Sequence, residues 1–186
     1  MSFRYDIRLS GEGGQGLVLA GRILAEAAAI YDEKNATQSQ SYGPEARGGA
    51  SRSEVIISDE DIDYPKAIHV DLLLALTQES CDKYSKDLKP EGILLVDSDA
   101  VTRLPEGKFK VYRAPIIDIA RKRVGRVVVA NIVALGMIAE LSHIVSVEAL
   151  ESAVLSRVPK GTEEVNLKAF KAGMEAAREL SVQQTR

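Results

Sequence analysis

Arg4-Tyr5-Asp6-Ile7-Arg8-Leu9-Ser10-Gly11-Glu12-Gly13-Gly14-Gln15-Gly16-Leu17-Val18-Leu19 is the stretch whose reading decides the fold. Tyr5, Ile7 and Leu9 alternate with Arg4, Asp6 and Arg8, the period-two pattern of a strand over residues 4–9 with one apolar face. Residues 17–30 form an apolar run broken only by Arg22 and Glu26. Those two are four apart, so they share one exposed stripe of an otherwise buried helix. The run Gly11–Gly16 between strand and helix matches G-x-G-x-x-G. Strand, glycine turn and helix together open a Rossmann-like unit.

The turn suits an anion. Glycines let the backbone approach a ligand, and the unpaired amides of a helix N-terminus attract negative charge. A Walker-type loop is excluded, because no Gly-Lys-Ser/Thr ends the run. A nicotinamide site requires an acid at the end of the second strand, on the ribose hydroxyls. Here Asp32 and Glu33 fall where the first helix ends, and the next extended stretch, 36–41, carries no acid. Two readings of Gly11, Gly13, Gly14, Gln15 and Gly16 stay open: a phosphate site, and a purely structural tight turn.

About thirty residues on comes Ser41-Tyr42-Gly43-Pro44-Glu45-Ala46-Arg47-Gly48-Gly49. Gly43-Pro44 and Gly48-Gly49 impose turns. Arg47 is a permanent cation whose fork matches phosphate or carboxylate. Loops after parallel strands share one sheet edge, so Arg47 can join the glycine turn on one anion; equally, it can pair with Glu45 or Asp59 as an internal staple. Further along, residues 50–58 and 70–76 read as strands, and the second is apolar enough to be covered on both faces. Thr77 caps a helix with Glu79 in its first turn, running to about Leu88 and stopping before Pro90. Strands at 93–96 and 108–111 follow, then helices at 116–123 and 127–143. Ser146 caps a helix over 147–158, and Thr162 caps the last one. The alternation predicts a three-layer α/β Rossmann-like fold over residues 1–186 as one domain. No helix separates the strand at 50–58 from the stretch before it, so these two pair antiparallel and the mostly parallel sheet is mixed.

Asn131 lies in an apolar helix and must find hydrogen-bond partners, either a loop backbone or a ligand. Arg121-Lys122-Arg123 with Arg126 reads as a solvated helix end or a contact for an acidic partner. A net charge of −3 favours neither nucleic acid nor an anionic membrane, and no run nears the roughly 20 apolar residues of a membrane span. The single Cys81 fits a reducing cytoplasm and excludes an iron–sulfur cluster held by this chain alone. His69 and His143 are scattered, with surface positions expected, and no metal site is expected. There is no hydrolase elbow, zinc-protease motif or thiamine diphosphate signature, so hard chemistry needs help from outside the chain.

The two glycine motifs in this order and spacing, with Asn131, Gly136 and the Asn166…Gly173 pattern, resemble the gamma subunit of 2-oxoacid:ferredoxin oxidoreductases over nearly the whole chain. The resemblance implies a subunit of an enzyme that decarboxylates a 2-oxoacid, forms an acyl-CoA and passes electrons to ferredoxin. It implies alpha and beta partner subunits, with delta as an optional fourth chain. Those partners hold thiamine diphosphate and iron–sulfur clusters, and the gamma chain serves the coenzyme A side. It implies site roles for Gly11, Gly13, Gly14, Gln15, Gly16, Ser41, Tyr42, Gly43, Arg47, Gly48, Gly49 and Asn131, with 2-oxoglutarate preferred over pyruvate. A free-standing NAD(P)- or flavin-dependent reductase and a non-catalytic nucleotide sensor are the rival readings.

Overall fold

The computed structural model describes residues 2–41 and 49–184. Six strands form one sheet: β1 (Arg4–Glu12), β2 (Asn35–Ser41), β3 (Ala50–Ser58), β4 (Val70–Ala75), β5 (Leu88–Asp97) and β6 (Lys110–Ala114), in the order β2-β3-β1-β4-β5-β6. β1, β4, β5 and β6 run parallel, while β3 is antiparallel to both β1 and β2. The mixed, mostly parallel sheet read from the sequence is therefore present, with the antiparallel strand lying between β1 and β2.

The helices are α1 (Leu17–Glu26, continued by a wider turn over Ala27–Tyr31), α2 (Gln78–Tyr84), α3 (Ile116–Ile119), α4 (Ala130–Ser142), α5 (Val147–Arg157) and α6 (Glu163–Gln184). α1 and α3–α6 share the larger core with Ile7, Leu9, Leu72, Leu74 and Leu95. α2 closes the other face over Val70, Leu73, Leu94 and Val96, with Cys81 and Tyr84 pointing into that smaller core. α4 is the buried centre of the helical side, since every residue from Ala130 to Ala139 is covered. It crosses α6 at near backbone contact. A Cβ on Gly136 would lie 2.1 Å from the Phe170 carbonyl oxygen, and one on Gly173 would lie 2.0 Å from that of Val133. Only glycine permits this approach.

Several local readings change. β1 is buried on both faces: its second row, Asp6, Arg8 and Ser10, is covered by β3, β4 and α2 rather than solvated. Glu26 does not share an exposed stripe with Arg22, because α5 packs over it and supplies Arg157 and Ser156 as partners. The helix capped by Thr77, whose hydroxyl accepts from the Ser80 amide, ends at Tyr84 instead of near Leu88. Leu88 already pairs with Val70, and the register then shifts, so Ile93 faces Leu72. Pro90, which has no N–H to give a ladder, and Glu91, at φ 64°, sit inside this irregularity. The strand read at 108–111 lies at 110–114. Ser146 caps α5 as read, accepting from the Ala149 amide. The Thr162 hydroxyl instead donates to the Pro159 carbonyl and accepts from the Asn166 side chain, while Glu163 accepts from the Gly161 amide. His69 and His143 are both exposed.

Candidate functional site

The glycine run divides in two. Gly11 and Glu12 finish β1, and the turn proper is Gly13 to Gly16. Gln15 closes it from beneath: its amide nitrogen donates to the Glu12 carbonyl at 3.3 Å, and its side-chain oxygen accepts from the Glu12 amide at 2.7 Å. That side chain occupies the space where a Cβ on Gly11 would stand, 2.2 Å away. Gly16 is the N-cap residue of α1 at φ 74°, a left-handed conformation that favours glycine. It offers no side-chain cap, and no acid occupies the first turn of α1. The N-terminal amides thus keep their capacity for an external anion, and Glu12, Gly13 and Gly14 are exposed above them.

Asn131, 4% exposed at the start of α4, fixes the other side of the turn. Its Nδ2 donates to the Gly16 carbonyl at 3.1 Å, and its Oδ1 accepts from the Ile132 amide at 2.9 Å. Of the two roles open to it, the structure displays the loop-backbone one. A cavity of about 230 Å³ opens alongside. Gly14, Gly16, Asn131, Thr162 and Asn166 supply its polar wall, Arg126 is a cation on its rim, and Leu19, Val128, Val158 and Val165 are among its apolar walls. Asn166 is itself held by Thr162, through the carbonyl at 2.9 Å and the hydroxyl at 3.1 Å. Val127 and Val128, 45% and 75% exposed, stand in the short turn between Arg126 and α4.

The ribose acid is lacking in three dimensions as well. Asp32 is engaged elsewhere, accepting from the Ser146 amide and hydroxyl at 2.7 Å each. β3 also separates β2 from β1, so the end of β2 is one strand spacing, about 4.8 Å, farther from the glycine turn than in a dinucleotide fold.

Of the residues singled out in the sequence, Gly11, Gly13, Gly14, Gln15, Gly16 and Asn131 belong to one locality. Ser41 ends β2 and Gly49, at φ 75°, precedes β3, so both lie at the base of the second motif. Tyr42, Gly43, Arg47 and Gly48 lie outside the described residues. Sequence reasoning saw Arg126 only as part of a basic cluster and missed the Pro159–Asn166 wall. A buried polar Asn166 within a helix, the same signal that singled out Asn131, was available for the latter. Among the described residues no group of three or more His, Cys, Asp or Glu side chains could hold a metal. No helix among them is long and apolar enough to cross a membrane.

Residues 6–176 match the family model described as pyruvate ferredoxin/flavodoxin oxidoreductase. The chain is similar to the 2-oxoglutarate synthase subunit KorC of Methanocaldococcus jannaschii, 54% identical over 182 residues and 97% of each chain. It superposes on the gamma subunit of a keto/oxoacid ferredoxin oxidoreductase from Geobacter sulfurreducens with a TM-score of 0.90 at 60% identity, covering 96% of this chain and 98% of that one. It also matches 31% of the chain of the 2-oxoglutarate:ferredoxin oxidoreductase from Magnetococcus marinus, solved with 2-oxoglutarate, coenzyme A and succinyl-CoA bound, with a TM-score of 0.82 at 25% identity over 95% of this chain.

Proposed function

This chain belongs to the pyruvate ferredoxin/flavodoxin oxidoreductase family and is a gamma subunit of a 2-oxoacid:ferredoxin oxidoreductase, and from that premise we propose that its 2-oxoacid is 2-oxoglutarate and that its glycine turn serves coenzyme A. Residues 1–186 act as one gamma domain. It works in the cytoplasm beside alpha and beta subunits, with delta as an optional fourth chain. These partners hold thiamine diphosphate and iron–sulfur clusters and deliver electrons to ferredoxin. The substrate reading is supported by several 2-oxoglutarate synthase relatives at 48–54% identity, against 28–30% for pyruvate synthase subunits.

The observation that carries the coenzyme A reading is the open N-terminus of α1 beside a cavity with Arg126 on its rim. Backbone amides and a guanidinium recognise phosphate, and the valine walls accept a less polar part of the same ligand. At about 230 Å³ the cavity falls below the ~300–1,000 Å³ that encloses a drug-sized molecule, so it grips one portion of coenzyme A and leaves the rest to the partner surface. When bound, coenzyme A supplies the thiol that accepts the acyl group. This chain's own contribution is to hold the phosphates and orient that thiol. Gly11, Gly13, Gly14, Gln15, Gly16 and Asn131 shape the hold; Ser41, Tyr42, Gly43, Arg47, Gly48 and Gly49 complete the same edge.

The test is to purify the assembled complex from its native cell, identify its chains, and assay it with a panel of 2-oxoacids plus coenzyme A. Turnover fastest with 2-oxoglutarate and a KM for coenzyme A raised about tenfold by Arg126→Gln, the effect of one charge-assisted contact, support the reading. An unchanged coenzyme A KM in Arg126→Gln and Arg47→Ala refutes it.

A further inference from the structure

A second cavity, about 540 Å³, opens on the α2 face and shares no residue with the one at the glycine turn. Strand register builds its floor. Ser39, Glu54 and Arg8 lie abreast across β2, β3 and β1, and Ser41, Arg52 and Ser10 lie abreast in the next row. α2 packs over β1, β3 and β4, and β2 is the edge strand beyond β3, so the cavity opens at this corner of the sheet.

Arg8 is 2% exposed, and its charge is met by Asp87 at 2.6 Å, the Ala67 carbonyl at 2.9 Å and Glu54 at 3.4 Å. Arg52 differs. Its Nε, like that of Arg8, is buried without an aligned hydrogen bond, and stands 3.1 Å from Glu54, within ion-pair reach; unlike Arg8, its terminal nitrogens add no bond to a carboxylate. Its guanidinium rests on the Tyr84 ring, 5.4 Å from the centroid, opposite a carboxylate already shared with Arg8. The Arg52 side chain forms no hydrogen bond with any described residue, and Lys66, on the cavity wall, meets no carboxylate among them. Among the described residues, three cations (Arg8, Arg52, Lys66) thus line the cavity against two carboxylates (Glu54, Asp87), one more positive side chain than negative.

We propose that this cavity binds a small organic anion bearing a carboxylate or a phosphate, gripped by the Arg52 fork together with Lys66 and the Ser39 and Ser41 hydroxyls. The guanidinium is pre-oriented by Tyr84 and Glu54, so little side-chain freedom is lost on binding. One ligand anion balances the charge of the described lining side chains, and the volume suits a small metabolite rather than a protein segment.

Calorimetric titration of the full-length chain at low ionic strength tests this, with inorganic phosphate in one arm and succinate in the other to tell the two head groups apart. At least one probe saturates a single site, and Arg52→Gln weakens it about tenfold, the loss of one charge-assisted contact. Lys66→Gln, on an exposed loop where folding is not at stake, weakens it by a smaller factor. The proposal is overturned if neither probe saturates, if both variants titrate like the parent chain, or if affinity survives in them and is lost in Arg126→Gln, which assigns the probe to the glycine turn.

Discussion

Among the described residues, one face of the sheet carries α1 and α3–α6 and the other the short α2, and the two are closed by different physics. On the first, apolar surface and shape do the work: α4 is buried from Ala130 to Ala139, and Gly136 and Gly173 let two helices meet backbone to backbone. On the second, a guanidinium 2% exposed ties β1 to β3, to Asp87 and to the Ala67 carbonyl. Tyr84 lies beneath Arg8 and Arg52 at 5.2 and 5.4 Å. At Gly136 and Gly173 the first face has no room for an added methyl; on the second the constraint is that the buried guanidinium of Arg8 keep its carboxylates.

The largest expected effect breaks the charged face. Arg8→Ala breaks a buried ion pair, leaves Glu54 with Arg52 as its remaining ion-pair partner among the described residues, and costs about 3–5 kcal/mol, read from denaturant unfolding. Adding Glu54→Gln recovers a large part of that loss. If the double variant is no more stable than the single one, Arg8 acts by bulk and the contrast between the faces collapses. Next come Gly136→Ala and Gly173→Ala, each costing about 1–3 kcal/mol through forced separation of α4 and α6. Their effects combine to less than the sum, because the first methyl already parts the helices for the second.

Asn131→Ala is smaller in stability, about 1 kcal/mol for the buried bond to the Gly16 carbonyl. Its second readout is a weaker hold on coenzyme A in the assembled enzyme, without which Asn131 is structural only. The mildest effect is one of pH. Burial, with Asp82 nearby, pushes the Cys81 thiol up from an ordinary value of about 9 to about 11. The fold favours the protonated thiol, so its contribution is fully present below about pH 9 and is lost as pH rises toward 11. Thiol alkylation of the native chain stays slow until that window, and Cys81→Ala removes this limb of the pH–stability profile.

These two kinds of closure also explain what the sequence disclosed. The helical face was legible because apolar period and glycine placement are themselves the forces that build it. The antiparallel β3 followed from the lack of any crossover between residues 41 and 50. The charged face was not legible: Arg8 in a period-two strand reads as solvent-facing until its partners at 54 and 87 are known, and Glu26 reads the same way until α5 is laid over it. At the site, Gly11–Gly16 and Asn131 stood out because a glycine cluster and a polar residue in an apolar helix are both costly without a reason. The wall from Val158 to Asn166 is brought to them only by the path of the chain.

The bond from Asn131 to the Gly16 carbonyl spans 115 positions of the chain. Contacts of such separation form late, because closure entropy must be met before they are rewarded. A ribosome-bound chain that has completed β1 and α1 therefore still lacks a finished turn. Completion of the turn waits for α4 to emerge, and the far wall of the cavity beside it waits for α6.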